Sequence, residues 1–425
     1  MSEPWAGEPV DGARRYWVET LGCPKNQVDS AKLAGTLVAD GLAPAASAQD
    51  ADLVVVNTCA FIESAREESV ETVLALAAGR RAGARLVVTG CLAERYGEEL
   101  AQALPEADMV AGFGVPVGLS DRSGTVPSLD LLNLPRPRSA VPWAYVKIAE
   151  GCDRRCGFCA IPSFRGPQRS RTMGSVLAEV EALQAVEVVL VAQDLASYGK
   201  DRPGMGAGSI VPLVRAVAER VQRTRLLYLY PSDLSDELVE AIGGTGVPYF
   251  DLSLQHVSQP LLRRMRRWGD GERFLRRIDA VRRRWDDAAF RSNFIVGYPG
   301  ETEADHDQLL AWLSEAQLDW CGFFPYSREE GTYAAGLASQ VDAALVLERL
   351  AELTELQDAI TARRREALVG ATVEVLVDTP GVGRTHREAP EIDGVVRVPA
   401  WLATGSLHQV VVTGVEGPDL EAEAV

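Results

Sequence analysis

Residues 151–171 read GCDRRCGFCAIPSFRGPQRSR, with cysteines at 152, 156 and 159 set three and then two residues apart. Thiolates crowded into one tight loop at such intervals can grip adjacent irons of a cubane, and iron–sulfur clusters are held by runs of this kind. A four-iron cubane needs four ligands and the run supplies three. Either a distant cysteine completes the set or one iron is left open to bind something else. Zinc fits less well, because zinc knuckles pair one CxxC with another or with histidines. The four histidines, at 256, 306, 386 and 408, all lie far from the run.

Upstream, three further cysteines recur in a repeated setting. The valine-rich runs 16–20, 51–56 and 84–89 lead into Gly22-Cys23, Thr58-Cys59 and Gly90-Cys91, and each is followed by helical spacing. Short continuous apolar runs alternating with helices predict a parallel βαβαβ unit. In such a sheet the carboxyl ends of the strands form the ligand-binding edge. Cys23, Cys59 and Cys91, though 36 and 32 residues apart, are therefore expected together as a second metal site, again with three ligands. Pro24 ends the first strand, a helix is expected over 26–37, and Asp29 is placed to complement its positive end. Cys321 lies in an aromatic run and is expected in the core.

Downstream of a Gly- and Pro-punctuated linker over 113–142, six strand candidates alternate with helical segments: 144–149, 186–192, 225–230, 249–255, 291–296 and 319–324. This predicts a parallel βα array with its chemistry at the carboxyl face. Gln193, Asp194, His256 and the segment 297–301 follow strands and are expected to line the same mouth as the cysteine run. Ten arginines fall between 262 and 286, but apolar positions interleave at helical spacing, which reads as solvated helix surface. From 370 onward alternating runs at 372–377, 394–398 and 408–413 predict a small antiparallel barrel. It carries three arginines against nine carboxylates, a surface that repels a phosphate backbone.

The 425 residues are 47% hydrophobic and 24% charged, the composition of a soluble globular chain of two or three domains. No apolar run approaches the length of a membrane span, the N-terminal residues have no signal-like core, and seven cysteines fit a reducing compartment, so the cytoplasm is expected. A net charge of −17 argues against a dominant nucleic-acid footprint and suits a basic protein partner.

Taken together, CxxxCxxC with Phe158 before its last cysteine, the three upstream cysteines and the C-terminal barrel resemble the radical S-adenosylmethionine (SAM) methylthiotransferase family over nearly the whole chain. LGCPKNQVDS, NTCAFIESAREES and YSREEGTYA resemble its branch that modifies a small-subunit ribosomal protein. That resemblance implies an α/β architecture: an N-terminal flavodoxin-like parallel-sheet domain over 1–130 with an auxiliary cluster, a partial (β/α)6 radical SAM barrel over 138–366, and a small antiparallel TRAM-type barrel over 367–425. It implies two 4Fe-4S clusters, one on Cys152, Cys156 and Cys159 whose open iron is chelated by SAM, the other on Cys23, Cys59 and Cys91 with its open iron holding sulfur. SAM contacts are expected at Phe158, Gln193, Asp194 and Gly297. The implied reaction replaces a hydrogen on the β-carbon of an aspartate in the ribosomal protein numbered twelve with a methylthio group. Flavodoxin or a similar donor supplies electrons, and neither membrane nor direct nucleic-acid binding is expected. Ser253 stands where the family usually has proline. The same chemistry on tRNA and a non-catalytic electron-transfer role are the alternatives.

Overall fold

The computed structural model describes residues 13–119, 130–206 and 209–425, which divide into two compact units. Of the described residues, the first comprises those up to Ala140 with Tyr145–Asp153 and Cys159–Gln184, and the second Val141–Ala144, Arg154–Phe158 and those from Ala185 onward.

The first unit opens with β1 (Arg15–Thr20), α1 (Pro24–Ala39), β2 (Ala43–Pro44), β3 (Leu53–Thr58), α2 (Glu63–Gly79), β4 (Arg85–Gly90), α3 (Cys91–Ala103) and β5 (Met109–Val110). Its five strands run parallel in the order β2-β1-β3-β4-β5, the flavodoxin-like arrangement. Every residue of β3 is buried. Period-two alternation then sends Val54, Val56, Leu86 and Val88 into one core and Leu53, Val55 and Val87 into another, so the sheet is covered on both faces. Proline at the first position of α1 is compatible with a helix start, since that N–H has no intrahelical partner.

The linker expected over 113–142 lies partly outside the described residues. Its described C-terminal part is fixed to the first unit: Lys32 Nζ donates to Leu132 O (2.6 Å), Arg136 Nε to Glu179 (2.8 Å) and Arg138 Nε to Ala182 O (3.2 Å). The prolines predict a stiff segment, and Arg136, between Pro135 and Pro137, finds the buried carboxylate of Glu179, while the bond of Arg138 to Ala182 O lies at the surface. β6 (Trp143–Lys147) and β7 (Ala149–Glu150) replace the single strand expected over 144–149. α4 (Ile161–Arg165), β8 (Arg169–Ser170) and α5 (Met173–Leu183) follow, with β7 and β8 antiparallel.

In the second unit, beginning with the first two residues of β6, the strands are β9 (Glu187–Val191), β10 (Arg223–Leu226), β11 (Tyr249–Gln255), β12 (Ala289–Val296) and β13 (Trp320–Pro325). They alternate with α6 (Ile210–Ala218), α7 (Asp236–Gly243), α8 (Gln259–Arg264), α9 (Gly271–Arg282), α10 (Glu303–Ala316) and α11 (Ala343–Glu366). β10 pairs in parallel with β9, next to which β6 lies, and β11-β12-β13 forms a second, parallel sheet; a parallel bridge between Leu229 and Leu252 joins the two into the row of six strands of a partial barrel. Ser253 N donates to Leu229 O (2.9 Å) beside that bridge, a bond proline at this position cannot make.

The C-terminal strands β14 (Thr372–Thr379), β15 (Val382–Arg384), β16 (Val396–Arg397), β17 (Leu407–Glu416) and β18 (Asp419–Ala424) close into a barrel. Four of its pairings are antiparallel, and β16 with β18 is parallel. The barrel is seated against residues at the amino ends of the larger array. Arg384 donates to Glu187 (3.1 Å) and Arg223 to Arg384 O (3.0 Å); Tyr249 Oη donates to Asp393 (2.6 Å) and Trp320 Nε1 to Arg387 O (2.7 Å). Glu187, Arg223, Tyr249 and Trp320 are each the first residue of their strand. Burial alone would raise the Glu187 carboxyl, but Arg225 and Arg384 hold it down to about 2. Among the described residues no helix is long and apolar enough to cross a membrane.

Candidate metal centres

Cys23, Cys59 and Cys91 emerge at the carboxyl edge of the first unit's sheet. Thr20 pairs in register with Asn57, and Thr58 with Gly90, so the residues following β1, β3 and β4 leave three adjacent strands side by side. Cys23 precedes α1 and Cys91 begins α3, both at helix N-termini where a thiolate is favoured. Asn26 laces the edge together: its Nδ2 donates to Leu21 O (2.8 Å) and Thr58 O (3.1 Å), and its own carbonyl accepts from Asn57 Nδ2 (2.9 Å). Gly22, at φ 90°, faces Cys59 so closely that a Cβ would stand 2.8 Å from the thiol sulfur. Gly90, at φ 92°, would drive a Cβ into the Thr58 backbone at 2.6 Å.

Burial pushes the Cys59 thiol up to about 12, and the neighbouring Cys23 and Cys91 add to the rise. The same causes raise Cys91, against the pull of Arg165. Burial of Cys23 acts in the same direction, yet Lys25 and Arg165 bring it below the usual thiol value.

Behind this edge lies a buried group of four charges. Lys147 Nζ bonds Asp29 and also Glu150 (2.6 Å), while Arg165 Nη1 donates to Asp29 (3.0 Å) and Glu150 (3.1 Å). Arg165 Nη2 reaches forward to Asn26 Oδ1 (2.7 Å) and to Cys91 Sγ (3.0 Å). The Phe113 ring covers the guanidinium, 4.3 Å from its carbon to the ring centre. Asp29 is thus no solvent-facing complement to a helix end, the role the sequence suggested: it is 1% exposed, and two cations from later in the chain claim it.

Within the second unit another arginine touches a thiol. Arg267 Nη1 lies 3.4 Å from Cys156 Sγ, its Nη2 donates to Ser253 O, and its guanidinium stacks on Tyr230 at 3.9 Å. Arg154 covers the same ring at 3.8 Å and is held by Asp194 (2.6 Å), with a further bond to Asp233. Arg267, half-buried, departs from the solvated-surface reading of the arginine-rich stretch, whereas Arg264, which donates to Pro299 O (3.1 Å), is exposed as expected. Helical spacing marks which face is apolar but not how far a long cation reaches back.

Cys152, Cys156 and Cys159 lie in one loop between β7 and α4, all half-buried and none in a disulfide. Cys152 N donates to Gly166 O (3.1 Å). Gly157, just before Phe158, faces Tyr298 Oη, 2.9 Å from an added Cβ, while Gly297 N donates to Glu301 (2.6 Å). Asp194 is thus bonded to Arg154, and the backbone beside Phe158 meets Tyr298, the residue after Gly297. Gln193 follows β9 and is half-buried. His256, also expected at the mouth, is fully buried behind β11, its Nδ1 accepting from Ser258 N (3.0 Å). Cys321 lies within β13, half-buried, and burial drives its thiol well up.

Among the described residues no three His, Cys, Asp or Glu side chains converge as they would on one metal ion. A cubane separates its ligands, each on its own iron, and three soft thiols with an N–H donor aimed at one of them suit iron and sulfide. Asn26, Arg165, Tyr230 and Arg267 are the residues of these two regions that sequence reasoning passed over. Arg165 sits inside the decisive stretch itself, but nothing in its spacing distinguishes it from Arg169 and Arg171.

Three family models match the chain in order: "Uncharacterized protein family UPF0004" over residues 15–112, the radical SAM superfamily over 146–313 and the TRAM domain over 369–425. Curated relatives match along almost their whole length. A ribosomal protein uS12 methylthiotransferase RimO of Salinispora tropica is 41% identical over 97% of this chain and 96% of its own. The protein of the same name from Moorella thermoacetica is 44% identical over 90% and 93%. That from Streptomyces coelicolor is 41% identical over 97% of each chain.

Proposed function

The chain belongs to the RimO family of ribosomal protein uS12 methylthiotransferases, and we propose that it places a methylthio group on the β-carbon of an aspartate in uS12. The observation that carries this reading is the match to those relatives from end to end, through three domains in the same order. Membership of the radical SAM superfamily implies a 4Fe-4S cluster and SAM. Cys152, Cys156 and Cys159 hold that cluster, and Cys23, Cys59 and Cys91 hold a second. When bound, these groups supply the radical that removes hydrogen from an unactivated carbon, together with the sulfur and methyl to be added.

The chain's own residues bind, orient and shield. Arg154, fixed by Asp194 and Asp233, presents a cation stacked on Tyr230 near the cysteine run. Phe158, within the run, and Gln193 and Gly297, which follow β9 and β12, are assigned to SAM. The carboxylate-rich C-terminal barrel favours a basic protein over a phosphate backbone. Arg384 and Glu388 are buried there in ion pairs, so the exposed charge remains acidic. An external reductant, flavodoxin or similar, belongs to the same reading.

The test is the mass of uS12 from a strain lacking its own enzyme and supplied with this chain. Gain of a methylthio group is expected, and unmodified uS12 beside a newly modified tRNA adenosine overturns the proposal. Iron and sulfide counted after replacing each cysteine triad with alanine should fall by one cluster in each case.

A further inference from the structure

Resting on the reading that Cys23, Cys59 and Cys91 hold a cluster, we propose that Arg165 is the residue that sets the reduction potential of that cluster, through its N–H···S bond to Cys91. Arginine carries five N–H donors in a rigid fork and accepts nothing. Nη1 spends its two on Asp29 and Glu150, and Nη2 divides its two between Asn26 Oδ1 (2.7 Å) and Cys91 Sγ (3.0 Å). The fifth, on Nε, is buried with no partner among the described residues. A buried cationic donor left unmatched is costly, and it points to an acceptor the protein does not itself provide, as cluster sulfide would be.

The rest of the surroundings leave this task to Arg165. Among the described residues the other side-chain hydrogen-bond partner of Cys91 is Asn26 Oδ1, at 3.7 Å, an acceptor that takes a proton from a thiol and offers nothing to a thiolate. Asp29 and Glu150 balance Lys147 and Arg165 charge for charge, so the guanidinium is anchored from behind and its free edge faces the sulfur. Hydrogen bonds to cluster sulfurs stabilise the electron-richer, reduced state and so raise the potential. Arg165 is a positioning residue, and its signature is a potential.

The experiment uses the full chain with Cys152, Cys156 and Cys159 replaced by alanine, so that iron can load only on the other triad. Arg165→Gln and Arg165→Lys are compared with this parent by iron and sulfide content and by an EPR-monitored redox titration. At a fixed solution potential, Arg165→Gln should lower the ratio of reduced to oxidised cluster about tenfold, which is about 59 mV for a one-electron couple. Arg165→Lys should fall between it and the parent, with metal content unchanged. If Arg165→Gln does not fold because Glu150 is left buried and unpaired, Arg165→Gln with Glu150→Gln gives the same readout. A potential within error of the parent in a variant that keeps its iron overturns the inference. A parent that loads no iron overturns the cysteine assignment instead, and the metal count tells the two failures apart.

Discussion

Arg165 and Arg267 each reach a cysteine sulfur, and their settings differ. Arg165 is locked by two buried carboxylates and an asparagine, and its bond to Cys91 is 3.0 Å. Arg267 is half-buried, stacked on Tyr230 and tied to one backbone carbonyl, with 3.4 Å to Cys156. The first is a fixed donor inside a neutral charge group; the second is held by a ring face, which orients a guanidinium without tightly fixing its in-plane angle. A region built to retain one group permanently tolerates the first solution. On the proposed assignment of SAM to the second region, its entry and release require freedom of the second kind.

The largest expected effect tests whether the two regions divide the labour. Cys23→Ala should leave SAM cleavage, read as 5'-deoxyadenosine formed, largely intact while methylthiolated uS12 disappears from the product mass spectrum. Equal loss of both would dissolve the distinction. Next, Arg267→Ala should slow 5'-deoxyadenosine formation about tenfold, the loss of one charge-assisted bond, with iron content preserved. Arg267→Lys, which keeps the charge but not the planar stack on Tyr230, should recover only part of that rate.

Acid separates the regions in a third way, since all four histidines belong to the second unit. Burial pulls His256 down to about 4, and its Nε2 is buried without a partner among the described residues. A base whose folded value is depressed contributes stability above its unfolded value that is lost as pH falls from about 6.5 toward 4. The stability advantage of the parent over His256→Gln should therefore shrink across that window, by on the order of 3 kcal/mol, in denaturant titrations at stepped pH. A gap that is flat with pH would mean that His256 titrates normally. Smallest is Ser253→Pro, which removes the N–H bonded to Leu229 O and should lower stability by about 1 kcal/mol, visible as a small drop in Tm.

Much of the architecture was legible because strand periodicity and strand ends are local properties. The runs ending before Cys23, Cys59 and Cys91 place those residues on one edge, and parallel pairing in register delivers them there. What escaped were partnerships set by the tertiary fold. Asp29 was readable only as a helix-end charge, since Lys147 and Arg165 lie 118 and 136 residues away. Arg267 was indistinguishable from its exposed neighbours until β11 supplied Ser253 O and the loop after β10 supplied Tyr230. The run over 225–230 likewise looked continuous, but Tyr228 takes a φ of 65° and interrupts regular pairing before Leu229. Charge pairing and chain reversal of this kind depend on who arrives from elsewhere.

The small C-terminal barrel is seated on the first residues of β9, β10, β11 and β13, whereas Asp194, Tyr230 and Gly297 follow the opposite ends of their strands. The strands between are a ruler. β9 has five residues and β12 eight, which at about 3.3 Å per residue is roughly 17 to 26 Å of separation. A partner that touches both the acidic barrel and the loops around the cysteine run must be at least that long, so a short peptide carrying only the target aspartate forfeits one of the two contacts.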